Sequence, residues 1–148
     1  MKDFALTAKA FIIALLLFSF SGCFQYPEGP IFTLQTRDER LSGNWFIDKV
    51  TDINGSDITA TYINWTLNVA QSKDGVGTFS YFMNGMLYSY GTYNFADFGD
   101  QLILAFTEYQ DENVSANAIQ KFLDVLRLTD QHFYYTDDQG SEFHWEKY

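Results

Sequence analysis

The chain has 148 residues, a formal net charge of −10, a single cysteine and an aromatic content of 19%, with ten Tyr and fifteen Phe. The acidity argues against nucleic acid, whose phosphates demand a basic patch, and one cysteine excludes an internal disulfide. The length suits one domain that buries roughly two-thirds of its surface, and the aromatic excess favours strands.

Lys2 and Lys9 form a short basic start diluted by Asp3, and Ala10 to Phe20 is almost wholly apolar. That run is about half of the twenty or so residues a spanning helix needs, so it reads as the core of a signal peptide. It ends in Phe20-Ser21-Gly22-Cys23. A lone cysteine in an exported chain is an exposed reactive thiol unless something modifies it. The four residues resemble the lipobox of bacterial lipoproteins, with Phe20 where that family usually has Leu. The resemblance implies removal of residues 1–22, lipidation of Cys23 and attachment to the membrane through its acyl chains. Phe24 stands where the common inner-membrane retention signal has Asp, which implies the outer membrane. Losing Lys2, Lys9 and Asp3 removes two positive charges and one negative charge, taking the net charge from −10 to −11.

Residues 23–40 hold both prolines, Pro27 and Pro30, and read as a lipidated tether, with a short helix possible over Arg37 to Leu41. A domain over 41–148 follows, opening on Leu41-Ser42-Gly43-Asn44-Trp45. Asn54-Gly55 marks the first turn. Tyr62 to Val69 alternates, with Ile63, Trp65, Leu67 and Val69 on one face. A three-residue loop at Lys73-Asp74-Gly75 sets Val69 opposite Phe79, Leu67 opposite Tyr81 and Trp65 opposite Met83, so the apolar faces coincide. Asn84-Gly85 predicts a two-residue primed turn pairing Met83 with Met86, Tyr81 with Tyr88 and Phe79 with Tyr90. Trp65, Tyr81, Tyr88 and Tyr90 therefore share an inward face.

Further strands are expected over Leu102 to Tyr109 and Phe122 to Thr129, with polar, turn-like Gln110 to Asn117 between them. A last hairpin closes at Asp138-Gln139-Gly140, with Tyr135 opposite Phe143 and Phe133 opposite Trp145, all inward. About eight antiparallel strands result, and an up-and-down barrel leaves no exposed edge. Gly43-x-Trp45 before serial strands, with aromatic-rich Phe143-His144-Trp145-Glu146-Lys147 at the end, resembles the lipocalins and calycins. The likeness is greatest to short lipocalin-like domains of bacterial lipoproteins. It implies an all-β barrel whose closed end Trp45 plugs beneath a basic side chain, Arg127 or Lys147.

No residue pattern points to catalysis, a cofactor or a metal. His132 and His144 fall on the outer face near Glu146 and Tyr134 as solvated strand residues, without a third histidine or cysteine to complete a zinc site. Asp52-Ile53-Asn54-Gly55-Ser56-Asp57 alternates oxygens but lacks the frame of a calcium loop and reads as a turn. The inward tyrosines carry the functional content, because a buried phenol needs a partner. They suggest an interior holding a small hydrophobic or aromatic ligand, bound by Trp65, Tyr81, Tyr88 and Tyr90. The alternative is a filled barrel whose surface engages a protein of the cell envelope.

Overall fold

The computed structural model describes residues 34–71, 76–96, 99–108 and 119–148. Cys23, the leader, most of the tether, the Lys73–Gly75 loop and the 110–117 stretch lie outside these residues. Eight antiparallel strands close into one barrel in chain order. They are β1 (Gly43–Thr51), β2 (Trp65–Ala70), β3 (Gly77–Met83), β4 (Met86–Phe95), β5 (Gln101–Glu108), β6 (Ile119–Leu128), β7 (His132–Thr136) and β8 (Glu142–Lys147). A five-residue helix, α1 (Arg37–Leu41), precedes the barrel, and a four-residue helix, α2 (Thr59–Tyr62), links β1 to β2. Closure pairs β1 with β8 and leaves no free sheet edge.

The inner faces of the strands make one core, in which Trp45, Val50, Leu128, Phe133 and Trp145 are among the most deeply buried side chains. The β2–β3 register sets Trp65, Leu67 and Val69 against Met83, Tyr81 and Phe79, as the coincidence of apolar faces requires. Asn84 and Gly85 both adopt positive φ, 53° and 77°, the signature of the primed two-residue turn. Met83 pairs with Met86 across it.

Beyond that pair the expected register fails. Phe82 pairs with Leu87 but Tyr81 pairs with Ser89, so Tyr88 is the extra residue of a β-bulge. The slip turns Ser89 and Gly91 inward and Tyr90 outward, where it is 49% exposed. The cause lies at Gly91. A Cβ there would collide with the carbonyl of Ala105 and with Phe106 on β5, so a tyrosine has no room at that place. Met86 is likewise no interior residue: it sits at the hairpin tip, 69% exposed.

The start of β2 also differs. Tyr62 and Ile63 are not strand residues; the chain makes α2 before entering β2 at Trp65. The helical turn is held because Thr59 Oγ1 accepts from Val50 N at 2.9 Å. Asp57 Oδ1 accepts from Thr59 N at 2.9 Å as well. Local hydrogen bonding thus outweighs the strand preference of the alternating side chains. Ile63 is left 63% exposed. β6 starts at Ile119, three residues before the expected Phe122, and adds Lys121 to the barrel wall.

Candidate functional site

One end of the barrel is closed by α1. Thr36 and Glu39 form a capping box, Glu39 N donating to Thr36 Oγ1 and Thr36 N to Glu39 Oε2. Arg40, assigned to the tether by sequence, is buried in the barrel base, where its Nη1 donates to the carbonyl of Leu128 at 2.8 Å. Trp45 Nε1 donates to the carbonyl of Leu41 at 2.8 Å. Lys147 resolves the choice of basic partner: its ammonium lies 4.6 Å from the Trp45 ring centroid. Lys147 Nζ also donates to the carbonyls of Arg40 and Ser42 at 2.6 and 2.7 Å, satisfying acceptors at the helix end. Burial pulls the Lys147 pKa down, with Asp130 opposing. Arg127 instead covers Tyr134. Gly43 has φ 140°, and a Cβ there would press on the Lys147 stem at 3.1 Å. The glycine and tryptophan of Gly-x-Trp thus both serve the lysine cap.

The opposite end is open. A cup of about 330 Å³ enters the barrel there, lined by Tyr62, Trp65, Tyr81, Tyr88, Ser89, Leu104, Phe106, Lys121, Leu123, Tyr135, Phe143 and Trp145, with Asp137 and Gln139 on the rim. Aromatic rings form most of its wall. Trp65 contacts Tyr88 at 4.9 Å and Tyr62 at 5.6 Å, and Tyr62 meets Phe143 edge-on at 5.3 Å. Phe143 stacks on Tyr135 at 5.1 Å. Trp65, Tyr81 and Tyr88 are therefore brought together as expected. Tyr90 is the correction: the bulge places it outside the cup.

Sequence reasoning missed Tyr62, because it was assigned to a strand, and Lys121, because it preceded the predicted start of β6. Lys121 faces the cup with its ammonium 6.0 Å from the Phe106 ring. Tyr135 and Trp145 face inward, as the last hairpin predicts, and line the cup as well. The deep phenols Tyr81 and Tyr135 act on each other's ionisation. Burial pushes Tyr81 up to about 12, and pushes Tyr135 well above the ordinary tyrosine value.

Two loops at the mouth share one construction. Asp52-Ile53-Asn54-Gly55-Ser56 and Asp137-Asp138-Gln139-Gly140-Ser141 each use the first aspartate to accept two backbone hydrogens. Each also places its glycine at φ 80°. The Asp52 carboxylate is thereby held below its usual range, chiefly by the Ser56 backbone, so the oxygen-rich loop is a closed turn. Ile53 packs beside Gly140, joining the two loops. On the outer wall, His144 meets Glu142 and stacks on Tyr134, while His132 lies 3.9 Å from Glu146. Among the described residues no three His, Cys, Asp or Glu side chains gather as a metal site.

No model of a known protein family matches the sequence, and no curated protein is significantly similar to it. Among solved structures, the barrel is similar to a lipocalin-like protein from Bacteroides uniformis ATCC 8492. The two share 15% identity with a TM-score of 0.53, over 74% of this chain and 99% of that one. The likeness establishes a lipocalin-like fold.

Proposed function

We propose that this chain is an exported, lipid-anchored binding protein that holds a small apolar or aromatic molecule in the cup of its barrel. The observation that carries the reading is the cup, a space of about 330 Å³ walled by aromatic rings, open at one end and sealed at the other by α1, Trp45 and Lys147. A volume of that size suits a compact organic ligand, whose apolar faces the aromatic rings would cover. The open volume also counts against a filled barrel acting only through its surface. Binding is favoured over catalysis by the polar groups present. They are phenols, an indole N–H, a serine hydroxyl, the Gln139 amide and one lysine, while the rim carboxylate of Asp137 is already engaged by Gln139 N and Ser141 N. The anchor and outer-membrane address rest on Phe20-Ser21-Gly22-Cys23 and Phe24.

Titration of the full-length protein with anilinonaphthalene sulfonate tests the cup. One dye is expected per chain, with affinity reduced about tenfold in Tyr88→Ala, since truncating a central aromatic anchor costs 1 kcal/mol or more. Tyr90→Ala should leave affinity unchanged. Equal loss in both variants, or no binding by the unmodified protein, would remove the assignment.

A further inference from the structure

The inner face of β6 departs from its own pattern at one place. Ile119, Lys121, Leu123 and Val125 alternate inward, while Gln120, Phe122 and Asp124 face out. A cation therefore stands in an apolar wall, and its neighbour Phe122 is left 44% exposed on the outside. Phenylalanine inside and lysine outside would satisfy the strand, and departures of this kind gather at functional sites. Lys121 pairs with Leu104, whereas its ammonium lies 6.0 Å from the ring of Phe106, which pairs with Ile119 at the mouth end of β6. The stem thus runs along the wall toward the mouth and brings the charge into the cup. Lys121 is the one cation among the residues that line the cup. The ring lies at the outer limit of a useful cation–π contact, and among the described residues no carboxylate pairs with the ammonium. Asp137 Oδ1, on the rim, accepts instead from Gln139 N and Ser141 N. In the closed order of strands β6 lies across from β2. The charge therefore faces the wall of Trp65, against which Tyr62 and Tyr88 pack.

We infer that the ligand is an organic acid, its carboxylate held by Lys121 Nζ on one wall and its apolar or aromatic body laid against Trp65 on the other. The inference rests on the cup being a binding site and names the chemical class that the site selects. A neutral molecule leaves the ammonium with the Phe106 ring alone. A carboxylate adds a charge-assisted hydrogen bond beside aromatic walls, where it is stronger than in open water. The whole chain carries a net charge of −10 and repels anions at a distance. A preference for the acid must therefore arise locally, and Lys121 is the lining cation that can supply it.

Naphthoate and naphthamide differ only in a carboxylate oxygen replaced by an amide nitrogen. Their dissociation constants for the full-length protein, at neutral pH and low ionic strength, provide the test. The acid should bind about tenfold more tightly, as one charge-assisted hydrogen bond allows. Lys121→Met keeps the stem and should abolish the preference while leaving naphthamide affinity unchanged; Lys121→Arg should retain it. A readout independent of any variant is salt, which should narrow the gap in the unmodified protein. Equal binding of both probes by the unmodified protein, or a preference that survives in Lys121→Met, would overturn the inference while leaving the cup as a binding site. Failure of both probes to bind would overturn the binding-site reading together with it.

Discussion

At the scale of single residues, the cup depends on phenols kept protonated in an apolar wall. Tyr81 is pushed up to about 12 and Tyr135 well above the ordinary 10.0, in both cases first by burial. A group with a folded-state pKa above its unfolded value contributes stability fully present below pH 10, and loses it as pH rises toward about 12. Stability measured by urea unfolding should therefore fall across that interval. Tyr81→Phe should flatten the fall, because phenylalanine has no proton to lose. Phenolate absorbance should show part of the tyrosine population titrating only with unfolding; a single normal titration of all ten would contradict the buried pair. Tyr90 shows where residue-level reading ran short. Its chemistry is that of Tyr81, and only the backbone clearance at Gly91, supplied by a strand some fifteen positions later, decides that it faces outward.

At the scale of elements, two devices carry the design and each makes a prediction. The β3–β4 bulge is locked by the close approach of β5 to Gly91. Gly91→Ala should cost about 3 kcal/mol, the upper end for overpacking, because the obstructing atoms include backbone. The lysine cap joins β8 to α1 through two carbonyls. Lys147→Met keeps the stem over Trp45 but removes the ammonium, and should cost about 2 kcal/mol. Urea unfolding checks both, and a loss under 0.5 kcal/mol in either would place it among ordinary surface changes. Hairpins were the legible part of this fold, since turn chemistry and alternation act within a few residues. Asn84-Gly85, Asp138-Gln139-Gly140 and the β2–β3 register all follow from such local signals. The bulge, α2 and the early start of β6 depend on contacts across the barrel or on capping bonds that compete with alternation. Trp65, Tyr81 and Tyr88 were readable as cup residues, whereas Lys121 and Tyr62 required those element boundaries.

For the whole molecule, the barrel is polarised along its axis. The chain enters at the sealed end through α1, and the cup opens at the other, between the Asp52 and Asp137 loops. Under the proposed lipid anchor, the tether would reach the domain through α1, at its closed end. The acidic charge offers no attraction to anionic lipid, so under that proposal the acyl chains alone would have to hold the protein at the membrane. Cys23→Ser should then move the chain from the membrane fraction to the soluble one and abolish incorporation of a labelled fatty acid. Retention at the membrane without label would contradict the anchor. The central claim is that the cup holds a ligand, and native mass spectrometry of the full-length protein from its own host tests it most directly. The account predicts a one-to-one adduct that departs on denaturation, with a mass suited to a cup of about 330 Å³. The mass of the processed chain alone, obtained under conditions that preserve the fold, would contradict it.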